Sequence, residues 1–84
     1  MTKLRKLLLK IIRGKSDANI AFDELRNLLL NYGFEERVRG SHHLFVKNGV
    51  EELINLQRNG KLAKPYQVKQ VRRIILRYGL GGDD

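Results

Sequence analysis

Cysteine is absent from this sequence, and proline occurs once. Without cysteine, the chain can form neither disulfide bonds nor thiolate metal ligands. Long apolar runs are also missing. The run Leu7–Leu9 is far shorter than the roughly 20 residues that span a bilayer, and it is too short for the core of a secretory signal. From these absences we predict a cytoplasmic protein with no membrane segment.

The common arrangements of catalytic and metal-binding residues are missing as well. The two histidines, His42 and His43, are adjacent, and no carboxylate cluster is spaced to complete a metal site with them. The chain has no Ser-His-Asp spacing, no glycine-rich phosphate loop, and no carboxylate pair near a histidine. The sequence therefore predicts neither a metal nor a cofactor.

Acidic residues are few and unevenly placed. The 84 residues include 17 Lys and Arg against 9 Asp and Glu, which gives a net charge of +8 and a pI of about 10.2. No acidic residue lies between Leu53 and Gly82, a segment that contains Arg58, Lys61, Lys64, Lys69, Arg72, Arg73 and Arg77. A basic block of this kind attracts phosphate groups, so we predict a nucleic-acid partner. The ordinary alternative is a basic surface that serves solubility.

Apolar periodicity predicts three helices and three strands. The first helix carries Leu4, Leu7, Leu8, Ile11 and Ile12 on one face and ends at Gly14. The second follows Phe22, has Asp23 as its N-terminal cap and ends at Gly33, and the last runs from Pro65 to Gly79. Strands are predicted at Phe34–Arg39, within 39–49 and at Glu52–Gln57, and a basic loop is predicted from Asn59-Gly60.

Short turns between the strands predict an antiparallel meander with helices over one face. In the first strand, Phe34 and Val38 are expected on one face, and Ile54 and Leu56 are expected together on a face of the third. We predict one α+β domain over residues 1–84, in which 1–14 form an extra amphipathic helix. Without that helix the order is α-β-β-β-α, which is the arrangement of double-stranded-RNA-binding domains.

The segment R-G-S-H-H-L-F-V-K-N-G, residues 39–49, contains both histidines. Histidine titrates near neutral pH, so it can remove a proton from a ribose 2′-OH or donate one to a leaving oxygen. On a strand, His42 and His43 point to opposite faces, so one is expected to be catalytic and the other structural. Both could also be ordinary surface or structural residues. We expect Ser41 to orient His42, and phosphate contacts from Lys47, Lys61, Lys64, Lys69, Arg72 and Arg73.

Three short motifs resemble the HicA-type mRNA interferase toxins. They are G-S-H-H-L-F between two strands, N-L-Q in the third strand, and K-P-Y-Q-V-K-Q-V-R-R-I-I-L in the last helix, so the resemblance covers 22–80. It implies a double-stranded-RNA-binding-like fold that acts as a small endoribonuclease, with His42 catalytic and His43 as the fallback. It also implies a HicB-type protein antitoxin as a partner. The segment 57–64 lacks the Pro- and His-containing stretch that compact members often carry there.

Three functional hypotheses follow. The first is a metal-independent endoribonuclease that cleaves mRNA and is the toxin of a toxin–antitoxin pair. The second is a non-catalytic module that binds double-stranded RNA. The third is a DNA-binding protein that inserts its last helix into a major groove, although no short helix precedes it at helix-turn-helix spacing.

Overall fold

The structure is a computed structural model that describes residues 2–81. Over this range the chain forms three α-helices, a 3-10 turn and five strands. Their bounds, in chain order, are α1 Lys3–Arg13, the 3-10 turn Asp17–Asn19, α2 Phe22–Asn31, β1 Glu35–Arg39, β2 His42–Lys47, β3 Val50–Leu56, β4 Arg58–Asn59, β5 Leu62–Ala63 and α3 Pro65–Tyr78.

The long helices begin and end at residues suited to those positions. At the start of α1, the Thr2 hydroxyl accepts a hydrogen bond from the backbone N–H of Arg5 at 3.1 Å, which satisfies one of the unpaired N–H groups of the first turn. At its end, Gly14 adopts φ +72°, a left-handed conformation that costs glycine little. Pro65 occupies the first turn of α3, where no backbone N–H is needed.

β1, β2 and β3 form an antiparallel meander in the order β1-β2-β3. Arg39 pairs with His42 at the first turn, and Lys47 pairs with Val50 at the second, with an irregularity in β2 just before it. Since successive side chains of a strand point to opposite faces, Phe45 lies on the helix-covered face and its neighbours lie on the other. We call the second face the open face.

The helices and the covered face enclose one hydrophobic core. Phe22, Phe45, Ile54 and Leu56 are completely buried in it. α1 adds Leu7, Leu8 and Ile11, α2 adds Leu25, Leu28 and Leu29, and α3 adds Val68, Val71, Ile74 and Ile75. The N-terminal helix therefore packs into the same core as the rest of the described chain.

The predicted α+β fold is confirmed, and so is the placement of Ile54 and Leu56 on one buried face of β3. Within residues 2–81, no helix combines the length and the apolar character required to cross a membrane.

The predicted basic loop is wrong in one respect, because it contains a small hairpin. β4 and β5 pair with each other, and the hairpin is attached to the chain entering α2. The N–H of Phe22 donates to the carbonyl of Lys61 at 3.0 Å, and the N–H of Ala63 donates to the carbonyl of Ile20 at 2.9 Å. These backbone bonds join segments distant in the sequence, which a local residue preference does not reveal.

The predicted cap of α2 is also wrong. Asp23 does not cap α2, because Ala21 occupies the cap position, and the Asp23 carboxylate instead accepts from Arg58 at 2.7 Å. Val38 lies on the same face as Phe34, as predicted, because it is the strand partner of His43 on the helix-covered side. The residue is nevertheless 57% exposed, since it lies near the end of an edge strand.

The adjacent residues Ile54 and Leu53 test this arrangement of faces, because Ile54 is buried and Leu53 is 49% exposed. We expect Ile54→Ala to lower the free energy of unfolding by about 2–5 kcal/mol through lost burial and a residual cavity. Leu53→Ala should cost about 1 kcal/mol or less. Urea unfolding of the two variants checks this, and equal losses would contradict the assigned strand faces.

Candidate active site

The two histidines lie on opposite faces of β2, as the alternation of strand side chains predicts. His42 is exposed on the open face, whereas His43 points towards the helices and its side chain is 16% exposed. The two imidazoles therefore cannot act on the same phosphate as an acid–base pair.

His43 is held in the contact between the sheet and α2. Its Nδ1 donates to Oε2 of Glu36 at 2.9 Å, and its ring meets the edge of Phe22 with centroids 4.9 Å apart. The guanidinium of Arg26 binds the same carboxylate, with nitrogen–oxygen distances of 2.7–2.9 Å. These hydrogen bonds, first that of Arg26 and then that of His43, lower the pKa of Glu36 against the opposing effect of burial. This environment is typical of a structural histidine.

His42 is oriented by two amide side chains from β3. Its Nδ1 lies 3.1 Å from Oδ1 of Asn55, and its Nε2 lies 3.4 Å from Nε2 of Gln57. A carbonyl oxygen only accepts hydrogen bonds, so Nδ1 carries the proton of the neutral ring. Nε2 is then the nitrogen that can accept a proton. Its hydrogen bond from Gln57 is long, so a substrate hydroxyl can replace Gln57 as the donor to Nε2.

Gln57 connects His42 to two other residues that the sequence singles out. Its Nε2 donates to Oγ of Ser41 at 3.4 Å, and its Oε1 accepts from Nζ of Lys64 at 3.1 Å. Its backbone N–H donates to Oε1 of Gln67 at 3.1 Å. Since Gln67 is 2% exposed, a buried amide fixes the backbone of Gln57 at the edge of the cluster. We call Ser41, His42, Asn55, Gln57 and Lys64 the His42 cluster.

The remaining predicted phosphate contacts are spread over other surfaces. Lys61 lies at the β4–β5 turn, and Lys69 and Arg73 are exposed on α3. Lys47 is at the opposite end of β2 from His42, about 16 Å away at the usual rise per strand residue, and it lies near Gly33. Ser41 and Lys64 are therefore the predicted contacts that the fold connects to His42, in both cases through the side chain of Gln57.

Arg72 is already bound within the protein. Its guanidinium contacts both carboxylate oxygens of Asp17, at 2.8 and 3.2 Å, and donates to the carbonyl of Ile11 at 3.1 Å. The hydrogen bond to Asp17 raises the pKa of Arg72. With its side chain 20% exposed, Arg72 connects α3 to α1 and the 3-10 turn, so it is poorly placed to bind RNA.

Asn55 and Gln57 are the two cluster members that are absent from the predicted site. A signal for them was present, because placing Ile54 and Leu56 on the buried face of β3 also places Asn55 and Gln57 on the opposite face. What the sequence does not contain is the lateral pairing of strands that brings those amides to His42.

A groove of about 840 Å³ lies between α1 and α2, with Lys3, Leu4, Glu24 and Leu30 in its lining. It shares no residue with the His42 cluster and contains no histidine. In the part of the chain that the structure describes, no three His, Asp or Glu residues are grouped to hold a metal ion.

No protein-family model matches the chain, and neither a curated protein nor a solved structure is significantly similar to it. A functional proposal therefore depends on the motif residues and on the geometry of the cluster.

Glu36 predicts how stability depends on pH. Because its pKa is lower in the folded protein than its ordinary value of 4.5, the ionised carboxylate stabilises the fold above that pH, and this contribution is lost as the pH falls through the folded-state pKa. We expect Glu36→Gln to reduce the free energy of unfolding by about 1–2 kcal/mol at pH 7. The difference from wild type should shrink towards pH 3 in urea unfolding.

Glu35→Gln is the matched control, since Glu35 is the neighbouring carboxylate, 71% exposed and 3.9 Å from Arg37. Exposed pairs of this kind contribute little to stability. A Glu36→Gln deficit that stays constant between pH 7 and pH 3 would contradict the ionic role of Glu36.

Proposed function

We propose that this protein is a metal-independent endoribonuclease, the toxin of a toxin–antitoxin pair, with His42 as its acid–base residue. The main support is the hydrogen bond from Nδ1 of His42 to Oδ1 of Asn55 at 3.1 Å on an exposed surface. It orients the imidazole and leaves Nε2 as the proton acceptor.

In the proposed reaction, Nε2 of His42 takes the proton of a ribose 2′-OH. The 2′ oxygen attacks the adjacent phosphorus, and the bond from phosphorus to the 5′ oxygen breaks. The leaving oxygen takes up a proton from water, the protonated His42 releases its proton to the solvent, and the products are a 2′,3′-cyclic phosphate and a 5′-hydroxyl. This sequence needs no redox partner and no metal.

The charge around the cluster supports an anionic substrate. Lys64 is at the N-terminus of α3, where its ammonium and the positive end of the helix dipole both favour a phosphate. Arg39 is the strand partner of His42 and is exposed. Positive charge beside the reacting phosphate would stabilise the extra negative charge of the transition state.

The order of elements supports a fold like that of double-stranded-RNA-binding domains. α2, β1, β2, β3 and α3 follow the α-β-β-β-α order, with the helices over one face of the meander. α1 and the β4–β5 hairpin are additions to it. Together with the motif resemblance to HicA-type toxins, this order favours RNA over DNA as the substrate.

A protein antitoxin is part of the same proposal, and the open face suggests where it binds. Leu44, Val46 and Leu53 line a depression of about 320 Å³ there, bordered by Arg37 and Arg39. Val46 and Leu53 are 38% and 49% exposed. A HicB-type partner that buried these apolar groups would also cover His42, which lies on the same strand and face.

Parallel substitutions of the two histidines test the proposal. Asparagine can place an amide donor near the position of Nδ1, so His43→Asn should keep the bond to Glu36 and remain within a few-fold of wild-type activity. His42→Asn should lose about 10²- to 10⁴-fold, the usual contribution of general acid–base catalysis. The assay is single-turnover cleavage of a labelled RNA in EDTA, with growth arrest on expression as the cellular readout.

RNA carrying a single 2′-deoxy residue at the cleaved position is the substrate control and should resist cutting there. Full activity in His42→Asn would refute the catalytic role of His42. A wild-type protein that binds RNA without cutting it would instead support the non-catalytic double-stranded-RNA-binding module.

Lys64→Gln and Lys47→Gln test which surface meets phosphate. Each phosphate contact contributes about 0.7 to the slope of log affinity against log salt on single strands. We expect Lys64→Gln to weaken RNA binding and to lower the slope by roughly that amount, and Lys47→Gln to leave both nearly unchanged. Binding titrations at several salt concentrations measure this, and the reverse pattern would place RNA on the other face of the sheet.

A further inference from the structure

One aromatic side chain in this protein is not used for packing. The chain has three Phe and three Tyr, all within residues 2–81. The three Phe are buried, and Tyr32 and Tyr78 are half-buried against the core. Tyr66 is 62% exposed, so burial does not explain an aromatic ring at this position.

Tyr66 is also connected to the His42 cluster. Its hydroxyl accepts a hydrogen bond from Nε2 of Gln67 at 3.4 Å. The other end of the same buried amide accepts from the backbone N–H of Gln57, whose side chain contacts His42 and Lys64. One buried glutamine therefore holds both the backbone of Gln57 and the hydroxyl of Tyr66, which connects this exposed residue to the cluster.

We propose that Tyr66 is a nucleobase-stacking subsite, on which an unpaired base next to the cleaved phosphate lies. This inference rests on the proposed RNA-cleaving function and specifies its substrate as single-stranded RNA. Every base has a π face that can stack on an aromatic ring, and an exposed, oriented phenol provides such a surface. Lys64, two residues before Tyr66, would hold the neighbouring phosphate.

An A-form duplex does not fit this subsite. Its bases are stacked on one another, and a protein reaches them through the wide, shallow minor groove. A base must leave its stack to meet a ring that lies flat on a protein surface, and single strands or loops allow this at little cost. A domain with the element order of duplex binders would thus act on unpaired RNA.

The absence of tryptophan allows a direct test. Tyr66→Trp introduces a single fluorophore at the proposed subsite, and Leu76→Trp introduces one on the same helix at a site with almost the same exposure, 61%. The probe is a 2′-O-methyl oligoribonucleotide, which cannot be cleaved because its 2′ oxygen is blocked. It is added either as a single strand or annealed to its 2′-O-methyl complement.

We expect the single strand to quench the emission of Tyr66→Trp strongly and the emission of Leu76→Trp only slightly. The duplex should quench the emission of Tyr66→Trp less than the single strand does. In binding titrations with the same strand, Tyr66→Phe should keep the wild-type Kd, while Tyr66→Ala should raise it by about 5- to 150-fold, the usual effect of removing one stacking partner.

Two results would overturn the subsite. They are equal Kd values for wild type and Tyr66→Ala, or stronger quenching by the duplex than by the single strand. Both leave the nuclease proposal standing, because His42-dependent cleavage is measured separately. Quenching and a Tyr66-dependent Kd in a protein that cuts no RNA would support the subsite and refute the nuclease, and a protein that binds no RNA would refute both.

Discussion

Burial of Phe45 and Ile54 under the helices determines the register of the sheet, and the rest of the structure depends on it. The two residues are strand partners and neither is exposed. A shift of one residue would exchange the two faces of a strand, moving His42 into the core and Phe45 into solvent. The contrast between a solvent-facing His42 and a core-facing His43 thus follows from the burial of Phe45, two residues after His43 and three after His42.

The basic residues fall into two groups with different roles. Arg26 and Arg72 are paired with carboxylates that are 10% and 12% exposed, and they connect α2 to the sheet and α3 to the N-terminal segments. Their charges are compensated inside the protein. Lys64, Lys69 and Arg73 are not in the ion pairs of the described residues, so their charge is available to a ligand at the beginning and along one side of α3. Lys3 and Lys6 of α1 are likewise outside those ion pairs, but they lie away from the His42 cluster. Substrate contacts are therefore better sought around α3 than among the arginines as a class.

Two elements outside the α-β-β-β-α order stabilise the ends of the core. α1 covers it with Leu7, Leu8 and Ile11 and accepts a hydrogen bond from Arg72. The β4–β5 hairpin joins the start of α2 through the Phe22–Lys61 backbone bond, and Arg58 of that hairpin lies 4.3 Å from the centre of the Phe22 ring. Since Phe22 also meets His43, the hairpin reaches the covered face directly below the strand that carries His42. In a domain of 84 residues, where the buried surface is limited, such additions contribute a substantial share of the core.

Sequence alone determined the order of the three helices and the three meander strands, the opposite orientation of the two histidines and the buried face of β3, because each follows from local periodicity and from the geometry of a single helix or strand. It also predicted that Ser41 orients His42 and that Lys64 contacts phosphate, but it did not separate these two from the five other predicted contacts, which lie outside the His42 cluster. Only the tertiary structure decided which histidine faces solvent, that Asn55 and Gln57 orient it, that Arg72 is paired with Asp17, and that 58–63 form a hairpin. The side-chain features arise from contacts between residues 7 to 61 positions apart. The hairpin pairs locally, but it is attached to Ile20 and Phe22, about 40 positions away. Such contacts exist only once the hydrophobic core has brought separate segments of the chain together.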